Sequence, residues 1–80
     1  MIELYSQIAL ARDLAAEGLR RGDVATVVEM LPATSASGGE AGCILEVANA
    51  IGETIAVVTV PLSAIEPLRA SEVLSVRPLN

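Results

Sequence analysis

The sequence predicts a single small domain built mainly of β-strands, and three observations carry that reading. Aliphatic, β-branched segments of strand length recur between breaks rich in glycine and proline: Val24–Leu31, Cys43–Val47 and Thr54–Val60. The chain has 80 residues, which is one domain at most. Hydrophobic residues make up 52% of it, yet Trp and Phe are absent, so Val, Ile, Leu and Ala must form the core.

Small size limits that core. A chain this short buries only roughly 60–65% of the surface its unfolded form exposes. Disulfides cannot add stability, because Cys43 is the sole cysteine, and a lone thiol suits a reducing compartment. The apolar content exceeds what a thin core absorbs. Some aliphatic side chains are therefore expected on a surface that meets another subunit or a partner.

Taken in order, the first segment is ambiguous. Leu4, Ser6, Ile8 and Leu10 share one face if the chain is extended. The stretch 8–21 also suits an amphipathic helix, with Ala11, Leu14 and Ala15 on one stripe, although Gly18 and Gly22 weigh against a long one. Arg20-Arg21-Gly22-Asp23 reads as a turn. Val24–Leu31 is the first clear strand. Val24, Thr26, Val28 and Met30 lie on one face, with Ala25, Val27, Glu29 and Leu31 on the other. Pro32 stops it, and residues 33–40 form a polar loop of small residues.

Cys43–Val47 is the next strand, and Asn49-Ala50-Ile51-Gly52 connects it to Thr54–Val60 as a hairpin. Thr54–Val60 is so uniformly apolar that burial on both faces is expected. One short helical turn is expected near residues 62–66, with Ser63 as its cap, and Pro67 forbids more. A final strand is expected over Ser71–Val76, with Leu68 and Leu79 as apolar anchors.

Charge narrows the function. Ten acidic residues against five basic ones give a net charge of −5. The basic residues are all arginines, at positions 12, 20, 21, 69 and 77, and no lysine or histidine is present. Such a chain is a poor match for a phosphate backbone, and Tyr5, its one aromatic, cannot form a stacking platform. No nucleic-acid partner is expected. The longest apolar run, Ile55–Leu62, is far short of the roughly 18–20 residues of a membrane span. Met1-Ile2-Glu3-Leu4 has neither the basic stretch nor the apolar run of a targeting leader, so none is expected. The chain is expected in the cytoplasm.

Catalytic chemistry finds few side chains to carry it. Cys43 has no histidine to activate it and begins an apolar strand, so it reads as a small core residue. Asp13, Glu17, Asp23, Glu40 and Glu53 read as turn caps and solvated charges, the usual placement of acidic residues. Ser35-Ala36-Ser37-Gly38-Gly39 lacks the lysine of a phosphate loop and follows a proline. The expectation is no enzyme, no cofactor and no metal site. Arg20-Arg21 is the one basic pair, placed to bind an anion beside the Gly22 and Asp23 amides or to meet a partner's carboxylates.

The order of these signals resembles a bacterial family known as domain of unknown function 4926. The resemblance rests on Arg12-Asp13 and on Gly18-Leu19-Arg20-Arg21-Gly22-Asp23-Val24-Ala25-Thr26-Val27-Val28-Glu29. Leu45-Glu46-Val47, Gly52-Glu53-Thr54-Ile55-Ala56-Val57-Val58-Thr59-Val60 and Glu72-Val73-Leu74-Ser75-Val76-Arg77-Pro78-Leu79 extend it to about residues 5–79. The chain departs from the pattern at Ala25, where the family usually has glycine, and at Val47, where it has an aromatic. Its loop from Pro32 to Gly42 is also long for the family. The resemblance implies an SH3-like small barrel of about five antiparallel strands, and it tips the first segment toward strand. It implies no established activity.

The expected role is a non-catalytic protein-interaction module. One form of it is an antitoxin or immunity-type protein that masks a basic enzyme. Arg20, Arg21, Asp23 and Glu40 are the candidate partner contacts. The alternative is a structural accessory subunit or homo-oligomer that buries the excess aliphatic residues between copies. A nucleic-acid-binding small barrel comes third.

Overall fold

A computed structural model describes residues 2–36 and 38–78. Leu79, expected as an anchor, lies outside them. Five antiparallel strands form one sheet: β1 (Gln7–Leu10), β2 (Val24–Leu31), β3 (Gly42–Ala48), β4 (Thr54–Pro61) and β5 (Ile65–Pro67). Their spatial order is β4-β3-β2-β1-β5. Consecutive strands from β1 to β4 are neighbours, and β5 returns to pair with β1. The sheet is mainly β as expected, but it stays open at β4 and β5 instead of closing into a barrel.

The ambiguous first segment resolves as strand. Ile8, Ala9 and Leu10 are all buried, and burial against β2 and β5 outweighs the helix propensity of the alanines that follow. Beyond Leu10 the chain makes a tight excursion. Leu14 and Leu19 bond to each other across a single 3-10 turn at Ala15–Glu17, and Gly18 ends that turn at φ 70°. No long helix runs through 8–21.

Strand β2 keeps its expected alternation as far as Val27. Ala25 and Val27 point into the core. The register then slips, because Val27 pairs with Leu45 while Glu29 pairs with Ile44. Val28 is thus the extra residue of a β-bulge, and Met30 shifts onto the face of its partner Cys43. A second bulge leaves Ile55 unpaired between the Ala56–Val47 and Thr54–Ala48 pairs.

One aliphatic cluster forms the core. It comprises Ile8, Leu10, Leu19, Ala25, Val27, Cys43, Leu45, Val47, Val58, Val60, Ala64 and Ile65. Strand β4 contributes only Val58 and Val60 fully to it. The expected burial on both faces is not found: Val57 is 62% exposed and Ile55 40%. A lone sheet has one covered face, and β4 lies at its margin.

The chain leaves β4 through a second 3-10 turn at Leu62–Ala64, matching the expected helical turn. Ser63 does not cap it by its side chain; its backbone N–H instead donates to Glu40 Oε2 at 2.8 Å. The fifth strand is Ile65–Pro67, not Ser71–Val76. The place beside β1 is taken as soon as the 3-10 turn ends. Strand β5 then offers only three residues to a further neighbour, and Pro67 lacks an N–H. Val73, Leu74 and Val76 are accordingly exposed. Leu68 is half-buried.

Candidate interaction site

Gly22 and Asp23 shape the turn that enters β2. Gly22 adopts φ 90°, which favours glycine, and donates its N–H to the Leu10 carbonyl at 2.8 Å. The Asp23 carboxylate accepts the Arg20 N–H at 2.8 Å, and the Asp23 N–H returns to the Arg20 carbonyl at 3.0 Å. Asp13 caps the same turn from outside by accepting the Arg21 N–H at 2.8 Å. Two carboxylates thus fix the backbone that presents Arg20 and Arg21. Both arginine side chains are exposed and form no ion pair among the described residues.

Arg77 completes the site. Its Nε donates to Asp23 Oδ1 at 2.8 Å, and its Nη2 donates to Oδ2 of the same carboxylate. This is a two-pronged pair in which each side chain is about one-fifth exposed, at 22% and 20%. The guanidinium holds the Asp23 carboxyl below its ordinary range, while partial burial works in the opposite direction. Asp23 in turn raises the Arg77 pKa. The tail reaches this point by reversing at Arg69–Glu72, where the Glu72 N–H bonds to the Arg69 carbonyl at 3.0 Å.

The expected contact residues therefore divide. Arg20, Arg21 and Asp23 share one turn, while Glu40 sits on the β2–β3 loop. The second 3-10 turn links the two groups. Its Ser63 N–H goes to Glu40, and the Ala64 carbonyl accepts the Ala11 N–H at 2.7 Å, one residue past Leu10. Glu40 also borders an open cleft of about 500 Å3 lined by Leu31, Pro32, Thr34, Gly42, Thr59, Val60 and Pro61. Gly42 is required there, since a Cβ would come within 2.7 Å of the Val60 carbonyl oxygen.

Two residues of the surface were not singled out from sequence. Arg77 gave no local signal, because its partner lies 54 residues away. Tyr5 is exposed and has a left-handed backbone, φ 64°, at a non-glycine residue. Cys43 is fully buried, and burial pushes its thiol pKa up. No group of three or more metal-ligating side chains comes together among the described residues. No helix among them is long and apolar enough to cross a membrane.

These features define a small antiparallel sheet with a carboxylate-pinned turn at one end, a strand order compatible with SH3-like architecture. The chain belongs to the family described as Domain of unknown function (DUF4926), whose model matches residues 4–67. The match ends with β5, so the segment Glu72–Leu79 lies beyond it. No curated protein and no solved structure matches the chain.

Proposed function

We propose that the chain is a non-catalytic protein-interaction module that docks on a basic partner. The observation that carries this reading is the acidic surface. Glu3, Asp13, Glu17, Glu29 and Glu53 are exposed, and none is in an ion pair among the described residues. Like charges left unneutralised on a small rigid sheet repel one another, and a basic partner relieves that repulsion and is steered toward it. One form of the role is an antitoxin or immunity-type protein that masks a basic enzyme. A cytoplasmic, reducing setting accompanies it, since Cys43 is a free thiol.

A structural or self-associating role is the second reading, favoured by the exposed Ile51, Ile55 and Val57. Nucleic-acid binding has the least support, because Arg77 is already engaged by Asp23.

Capture of host proteins on the immobilised chain at low salt, followed by a salt step, tests the leading reading. Recovery of a basic protein that the salt step releases is the expected result. Binding that is indifferent to salt overturns it. An Arg20→Glu/Arg21→Glu variant that recovers the same partner removes the turn from the contact.

A further inference from the structure

We propose that the outer edge of β4 is a self-pairing interface, through which two copies of the chain join antiparallel into one continuous ten-stranded sheet. The inference starts from which backbone groups of β4 are free. The Leu62 N–H donates to the Ala41 carbonyl at 3.0 Å, in step with the pairing of Gly42 with Pro61. Mutually bonded pairs recur at every second residue of an antiparallel ladder. Val60, Val58 and Ala56 therefore exchange bonds with Cys43, Leu45 and Val47. The N–H and C=O groups of Val57 and Thr59 point away from β3, at the margin of the sheet.

Native edge strands are commonly protected by charges or by covering elements. This one carries no charge between Glu53 and Glu66, and it is rich in β-branched residues. The bulge at Ile55 and the ring of Pro61 confine pairing to Ala56–Val60. A two-fold axis beside Val58 then sets Val57 of each copy opposite Thr59 of the other. That register uses all the free groups of both residues in four hydrogen bonds.

The same register commits the occupant to a second copy. Every cross-strand neighbour it creates is aliphatic or threonine, so no like charges meet at the joint. Just beyond the paired residues it brings Ile55 of each copy beside Pro61 of the other. Pro61 lines a mainly apolar cleft with Leu31, Pro32, Val60 and Glu40, so the exposed Ile55 lies next to an open hollow twice about the axis. Away from the joint each copy carries a net charge of −5. The pairing must therefore tighten as salt screens the repulsion, whereas docking on a basic partner weakens.

Sedimentation velocity on the full chain tests this, at low and high salt and over a range of concentrations. A monomer–dimer equilibrium that tightens with salt is expected. Thr59→Pro removes an N–H that the monomer does not spend on β3, and Val57→Lys puts a charge on the joint. Each is expected to give a monomer whose strand circular dichroism is retained, and Val57→Lys alone decides the matter if Thr59→Pro does not fold. A wild-type chain that stays monomeric up to about 1 mM overturns the proposal. So does a dimer that survives Val57→Lys, or one that loosens with salt. A dimer lost on removing residues 69–80 but kept in Val57→Lys assigns the added strand to the tail instead, and overturns it as well.

Discussion

Asp23 caps the turn that presents Arg20 and Arg21, and it holds the returning tail through Arg77. Its pH behaviour follows from the pair. The native carboxyl titrates below its unfolded value of 3.8, so its contribution is fully present above that value and is lost as pH falls through the lower native one. Asp23→Ala is expected to lower stability by about 1 kcal/mol at neutral pH, mostly through the lost cap, since a partly exposed ion pair adds little. Urea midpoints measured at neutral pH and well below 3.8 check this, and the gap between wild type and variant must narrow in acid. The Gly22-Asp23 turn was legible because both residues carry local backbone preferences. The Arg77 partnership was not, because nothing near position 77 in the sequence names a partner across the fold.

At the level of elements, β4 reads as a more uniformly apolar strand than β3, and its place in the sheet is what leaves it the more exposed. Leu45, in the third strand, is fully buried, with 0% exposed, while Val57 on the margin strand is 62% exposed. Leu45→Ala is expected to cost roughly 2–5 kcal/mol through the cavity it leaves. Val57→Ala is expected to stay within about 0.5 kcal/mol of wild type. Denaturant unfolding of the two variants checks the contrast, and equal losses would mean that β4 is covered on both sides. The tail shows the same dependence on place. Ser71–Val76 has the composition of a strand, but the sheet had already filled the position beside β1 with Ile65–Pro67. The Val28 bulge was equally hidden, because the residues around it alternate without a break.

For the whole molecule, stability rests on one thin aliphatic cluster without a disulfide. Cys43 reports on that cluster, since its thiol is fully buried and its pKa is raised by burial. Labelling by an aromatic disulfide reagent is expected to be slow in the native protein and to accelerate with urea in step with unfolding. Labelling of the native chain at the rate of an exposed thiol would contradict the core. The two proposed contacts respond to salt in opposite directions. The acidic exterior predicts binding that salt weakens, and the uncharged β4 edge predicts association that salt strengthens.

From the sequence alone came the class of fold, the extent of β2, the existence of β3 and β4 with ends within a residue of those observed, the Gly22-Asp23 turn, the hairpin at Asn49–Gly52 and the buried state of Cys43. Each rests on residues adjacent in the chain, whose alternation and turn preferences act locally. Tertiary packing alone decided that β4 is a margin strand with one covered face, that Ile65–Pro67 supplies the fifth strand, and that Arg77 closes on Asp23. A strand's own residues set its extended shape, but its neighbours are set by whichever distant segment first fills the space beside it.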